Sequence, residues 1–460
     1  MTNTLPSKRS GRESAVGLSK HKRSATDVGL ALITPLLGQE FLDKYNLRDP
    51  LNRGLKYGVK QVFSTAGATT RQFKRVQNLG KPATRLKPSG ADYFDLTPDD
   101  DQKMILQTVE EFAEEILRPA AHDADAAAAY PADLIAKAAE LGITAINIPE
   151  DFDGIAEQRS TITNALVAEA LAYGDMGLAL PILAPGGVAS ALTHWGSADQ
   201  QATYLPEFAG ENVPQACVAI AEPHPLFDPT ALKTTAVRTP SGYRLDGVKS
   251  LVPAAADAEL FVIAAQLNGK PALFLVEASA SGLTVTPDPS MGIRAAALGR
   301  VELDKVTVPL TARLGDDVSD AEHAQNYSEA IALSRLGWAA LAVGTSHAVL
   351  DYVVPYVKER EAFGEPIAHR QSVAFMCANI AIELDGLRLI TWRGAARAEQ
   401  GLSFAREAAL AKKLGTDKGM QIGLDGVQLL GGHGYTKEHP VERWYRDLRA
   451  LGVAEGVVVL

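Results

Sequence analysis

The chain has 460 residues, 46% hydrophobic and 22% charged, with a formal net charge of −10. That length exceeds what one core organises and predicts two or three packed domains able to bury a ligand. The composition is that of a soluble globular protein, with no uninterrupted apolar run near the roughly 20 residues of a membrane span. Charge is uneven: residues 1–90 hold 17 Lys and Arg against 5 Asp and Glu, a basic arm of +12 ahead of an acidic body of −22.

The first 26 or so residues are rich in Ser, Lys and Arg and carry no apolar pattern, so they read as unstructured. The apolar run Val28–Leu37 follows a basic stretch, but Pro35 interrupts it and Gly38-Gln39-Glu40 is a poor cleavage site, so export is not expected. The arm suits an anionic membrane surface, a polyphosphate or the acidic body itself; nothing in it reads nucleic acid. A cytoplasmic location is expected, or the mitochondrial matrix if the basic segment is an import signal. Cys217 and Cys377 are the only cysteines and neither sits in a metal-type cluster, so both read as small hydrophobes and no metal site is expected.

From Thr97 a helix is predicted, with Thr97 as N-cap, Pro98 at its first position and Asp99, Asp100 and Asp101 complementing the helix dipole. Its face of Ile105, Val109, Phe112 and Ile116 has helical spacing. Leu134–Leu141, closed by Gly142, and the Ala-rich stretch Asn164–Tyr173 continue the pattern, so residues 91–210 read as a helical domain. Over residues 211–318 the period shortens. Runs such as Leu260–Ile263, Ala272–Val276 and Leu283–Val285, separated by Gly, Pro, Asp and Asn, predict a compact β-barrel or sandwich. Residues 325–460 return to long helices. Val373, Met376, Ile380, Leu384 and Leu387 mark one helix of an antiparallel bundle, and a last helix from Pro440 places Val441, Trp444, Leu448 and Leu451 on one face. The fold class is therefore α with an inserted β domain.

Several motifs resemble the acyl-CoA dehydrogenase family from about Phe94 to the C-terminus. They are Leu141-Gly142-Ile143 leading to Pro149–Gly154, Leu205-Pro206 with Gly210-Glu211, Arg360–Ile367 followed by Gln371, and above all Gln428 through Gly431–Thr436 to Pro440–Asp447. The resemblance implies a helical domain, a central β-barrel and a four-helix bundle in a homodimer or homotetramer. It also implies FAD as cofactor, an acyl-CoA thioester as substrate in fatty-acid oxidation, and an electron-transfer flavoprotein as acceptor. An oxidase using oxygen directly, or a flavin-poor acyl-CoA-binding scaffold, are the alternatives.

Residue by residue, the resemblance makes Glu455 the catalytic base, in Val453-Ala454-Glu455-Gly456 after the Arg446-Asp447 element. Thioester and flavin packed around it would desolvate the carboxylate and favour proton transfer, while its backbone N–H serves the thioester oxygen. Read alone, Glu455 is an acid near a chain end. Ser334, Arg335 and Gly456 are assigned to the substrate, although Arg335 suits a structural salt bridge equally well. No carboxylate occurs at Ala332, Leu333 or Ser334, where some relatives carry their base. Arg360 suits the FAD pyrophosphate, Phe363 and Gln371 its adenosine half, and Gln428, Leu429, Leu430, Gly431 and Gly432 a turn that a neighbouring subunit's FAD approaches closely.

Three segments depart from the family pattern. Where a hydroxyl and a Gly/Ser turn surround Glu-Pro, this chain has Ala221-Glu222-Pro223-His224-Pro225-Leu226-Phe227-Asp228. Where Trp-Ile-Thr usually lines the flavin edge it has Leu251-Val252-Pro253, and after Gly456 it has Val457-Val458-Val459-Leu460 in place of polar contacts. Ala454 stands where many relatives have Tyr.

Overall fold

The computed structural model describes residues 97–156, 160–210 and 212–460. The basic arm, the start of the family resemblance near Phe94, and Glu211 lie outside the described residues.

The first helix among the described residues, α1 (Asp100–Phe112), starts two residues later than the sequence suggests. Asp99, not Thr97, is its N-cap: the Asp99 carboxylate accepts the Gln102 N–H at 2.8 Å and the Gln102 side chain accepts the Asp99 N–H at 3.0 Å. A reciprocal capping box satisfies two orphan amides at once. A π turn at Ala113–Leu117 leads into α2 (Arg118–Ala127), and α3 (Leu134–Glu140), α4 (Thr161–Gly174), α5 (Met176–Trp195) and α6 (Ala198–Ala209) complete the helical region. With a mean hydropathy of 1.5 over 18 residues, α5 is apolar and long enough to cross a membrane by length and composition, against the expectation that no such segment exists. It is instead a core helix, 89% buried over that window.

Residues 216–308 form β1 (Ala216–Ala219), β2 (Thr235–Thr239), β3 (Gly242–Val252), β4 (Leu260–Leu267), β5 (Lys270–Glu277), β6 (Leu283–Pro287) and β7 (Gly299–Val308). They make one seven-stranded mixed sheet. β4 pairs in full with β5 on one side and is shared by β1 and β2, both parallel to it, on the other; β2, β3, β7 and β6 then continue antiparallel. Since β5 and β6 do not pair, the barrel is left incomplete.

The C-terminal region is built on α7 (Asp320–Glu359), α8 (Gln371–Glu399) and α9 (Ala405–Leu430), with a small ribbon of β8 (Glu361–Ala362) and β9 (Glu365–Pro366) between the first two. A shorter helix, α10 (Val441–Leu448), packs on α9 and α7.

Packing explains why the Arg443–Asp447 run anchors the chain's last segment. On α10, Arg443 donates to the buried Asp175 at 2.9 Å, and Arg446 grips Asp125 through two bonds of 2.8 Å. Asp447 accepts the backbone N–H of Ile293. One short helix thus ties α2, the start of α5 and the β region together, and buried pairs of this kind are costly to break.

Candidate active site

Glu455 comes after a 3₁₀ turn (Arg449–Gly452) that caps α10. The segment is pinned on both sides. Ser334 Oγ and Trp338 Nε1, one turn apart on α7, donate to the Gly456 carbonyl at 2.6 and 2.9 Å. On the other side Val457 N–H donates to Val218 O at 3.2 Å, and Gly456 bridges Ala219 of β1. Bundle and sheet therefore meet at the residue after the expected base.

The Glu455 side chain is only 11% exposed and pairs with Arg335. Arg335 Nη2 and Nε stand 3.0 and 3.2 Å from Oε1, whereas Oε2 has only Nε at 3.4 Å. Oε2 is the less engaged oxygen. A carboxylate gripped mainly through one oxygen leaves the other better placed to accept a proton.

The tail after Gly456 is buried. Val457 lies at φ 69, a left-handed conformation that is costly for a β-branched residue. Close approach to two glycines accommodates it. A Cβ on Gly187 of α5 would lie 2.1 Å from Val457 O, and one on Gly337 of α7 would lie 2.5 Å from Val458 O. The apolar side chains Val457–Leu460 are at most 3% exposed and belong to the core.

Arg360, Phe363, Gln428, Leu429, Leu430, Gly431 and Gly432 line one cleft of about 480 Å³, together with His433, Ile367 and Arg370. Gln371 is the first residue of α8, between the lining residues Arg370 and Ser372, and is not itself in the wall. Phe363 is 95% exposed at φ 56, with the Arg370 guanidinium 5.4 Å from its ring centre. Gly431 ends α9 at φ 59, and a Cβ on Gly431 or Gly432 would meet nothing within 4 Å. Bare backbone facing open space, a free aromatic face and a guanidinium together suit a nucleotide with a pyrophosphate.

At the other expected contact region, Ala221, Leu251, Val252 and Pro253 offer no side-chain donor, and the Leu251 N–H is already given to Asp288 Oδ2 at 3.0 Å. Glu222 there is structural. It accepts the N–H groups of Lys233 and Thr234 and the ammonium of buried Lys249. His224 sits 3.3 Å from Glu222 Oε2. Cys217 is buried and its thiol donates to Pro253 O at 2.8 Å, whereas Cys377 is half-buried.

Three residues around Glu455 escaped the sequence reading. Trp338 was findable, because it lies one helical turn beyond Ser334. Tyr327 is buried with its hydroxyl donating to Pro229 O at 2.7 Å, and burial, then the charge of Glu455, push its phenol well up. Lys412, on α9, donates to Ala454 O; nothing in its local sequence separates it from neighbouring Lys413.

Family comparison agrees with this architecture. The N-terminal, middle and C-terminal domains of acyl-CoA dehydrogenase match residues 99–212, 217–306 and 325–457. The short-chain specific acyl-CoA dehydrogenase, mitochondrial, of Mus musculus is 30% identical over 77% of this chain and 86% of its own. The structure of butyryl-CoA dehydrogenase from Megasphaera elsdenii superposes with a TM-score of 0.72 at 27% identity, covering 79% of this chain and 96% of that one. A structure described as an electron transferring flavoprotein of Acidaminococcus fermentans gives 0.72 at 28%, over the same shares. The chain belongs to the acyl-CoA dehydrogenase family.

Proposed function

We propose that this chain removes the proton next to the thioester of an acyl-CoA with Glu455, and that its partner cofactor is FAD. The observation that carries the reading is the Glu455 carboxylate, buried between α7 and β1 and held by Arg335 mainly through Oε1, which leaves Oε2 the less engaged oxygen. Bound FAD would supply the hydride acceptor, which no protein side chain provides. Arg360, Phe363 and the Gln428–Gly432 turn would hold its nucleotide half.

The chain's own residues divide the remaining work. Arg335 orients Glu455 by gripping Oε1 more closely than Oε2, and burial excludes competing water. Ser334 and Trp338 fix the Gly456 carbonyl, so the carboxylate is carried on a segment that cannot swing. Adding a saturated acyl-CoA to the FAD-loaded protein should bleach the flavin band, and Glu455→Gln should slow bleaching by about 10² to 10⁴. Undiminished bleaching in that variant would refute the base assignment.

Assembly with further copies fits the surface. Phe375, Ile382 and Leu389, seven residues apart on α8, are 62%, 67% and 49% exposed, and Leu410 and Leu424 on α9 are 42% and 48% exposed. A stripe of this kind is suited to packing against another subunit, and an electron-transfer flavoprotein is the proposed acceptor. Peroxide release during turnover would point instead to oxygen. The donor-poor Ala221 and Leu251–Pro253 edge favours a second reading, a flavin-poor acyl-CoA-binding homologue; failure to retain FAD after reconstitution would select it.

A further inference from the structure

We infer that Lys412 is a positioning residue that aims the Glu455 backbone N–H and holds the Glu455 segment in its working geometry. The inference rests on the reading of Glu455 as the base. Lys412 projects from α9, opposite α7, and its ammonium donates to Ala454 O, the carbonyl immediately before Glu455. The carbonyl on the far side, Gly456 O, is taken by Ser334 and Trp338. The carbonyls of the two residues flanking Glu455 are thus held from two different helices, and Trp338 joins the two clamps, since the Lys412 Nζ lies 5.7 Å from its ring centre.

Peptide planarity gives the clamp its chemical effect. In a trans peptide the C=O and N–H point in opposite directions. Ala454 C=O and Glu455 N–H share one peptide plane, so drawing the carbonyl towards α9 turns the N–H away from it. A substrate oxygen placed against that N–H would meet a donor already oriented, which is where electrostatic catalysis gains most. Neutral side chains such as Gln or Met cannot reproduce a charge-assisted bond of this reach.

The charged groups acting on Lys412 are Glu455 and Arg335. Burial pushes its ammonium down to about 8, with Glu455 opposing that shift and Arg335 adding to it. The clamp should therefore weaken as pH rises through that value.

The test uses the full chain reconstituted with FAD, comparing wild type, Lys412→Met and Lys412→Arg, with saturated acyl-CoAs from butyryl to palmitoyl as probes. Expected for Lys412→Met is a bleaching rate lower by about 10- to 100-fold, with half-saturation changed less than about threefold; this is less than the roughly 10²- to 10³-fold cost of deleting an oxyanion donor, because the Glu455 N–H is misaligned and not lost. The wild-type fall in rate near pH 8 should vanish in Lys412→Met and move upward in Lys412→Arg, which should keep most of the rate. Independently of any substrate, hydrogen exchange of residues 453–457 should accelerate in Lys412→Met only. An unchanged rate, pH profile and exchange would overturn the inference. Should Lys412→Met fail to fold by circular dichroism, a wild-type profile with no limb near pH 8 would overturn it. If wild type itself bleaches with no probe, the proposed function fails, while the exchange measurement still decides the clamp.

Discussion

Replacing Lys249 by Met should destabilise the protein by about 3 kcal/mol and remove much of its acid sensitivity between pH 4.5 and 2. Lys249 and Glu222 have side chains 0% and 2% exposed, and their atoms meet at 2.9 Å. Lys249 also donates to Ile220 O at 3.1 Å, so it joins β3 to the end of β1 beside Ala219 and Gly456. Breaking a buried pair by removing one partner costs about 3–5 kcal/mol. The lower end applies because Lys233 and Thr234 N–H groups remain on Glu222.

Linkage points the same way, for Lys249 and the two backbone donors acting on Glu222 together. Burial opposes the Glu222 charge, but Lys249 and the two backbone donors outweigh it and hold the carboxyl down to about 2 from 4.5. A folded value below the unfolded one means stability present above pH 4.5 and lost as pH falls towards 2, about 3 kcal/mol at 1.36 per pH unit. The partner shifts the other way in effect: burial pushes Lys249 down to about 8 from 10.5, with Glu222 offsetting part of it, so its penalty is relieved as pH rises across that window. The acid side therefore reports the pair. Urea midpoints at pH 7 and pH 3 for wild type, Lys249→Met and Lys249→Met/Glu222→Gln check this. A loss below about 1 kcal/mol at pH 7, or an unchanged acid response, would refute a pair of this strength.

Two further substitutions probe the site. Gly187→Ala places a methyl 2.1 Å from Val457 O; it should cost about 1–3 kcal/mol by overpacking and shift the Glu455 segment, read as a lower urea midpoint together with slower flavin bleaching. Gly431→Val acts differently: among the described residues no contact within 4 Å of its Cβ arises, but φ is 59 and the backbone faces the cleft. It should weaken FAD retention at least about tenfold by fluorescence titration, with strain of about 1–3 kcal/mol; unaltered FAD affinity would remove this turn from the cofactor site.

Local periodicity was enough to read the helix, strand, helix order and the apolar face of α10 from Val441 to Leu448, while the family resemblance singled out Glu455 after Arg446-Asp447. Those features are carried by residues a few positions apart, and the same proximity produces both the pattern and the structure. Even there, the choice of Asp99 over Thr97 as N-cap depended on Gln102 three residues on, a reciprocal bond that composition near Pro98 does not announce. The rest came from long-range packing. Lys412 reaches Ala454 across 42 positions and Ser334 reaches Gly456 across 122, while α5, apolar enough for a membrane, is core because other elements cover it. The Val457–Leu460 tail became buried core only because Gly187 and Gly337, distant in the chain, leave room for its backbone. Contacts of that kind arise from how whole elements pack, and no local pattern encodes which pair of side chains will meet.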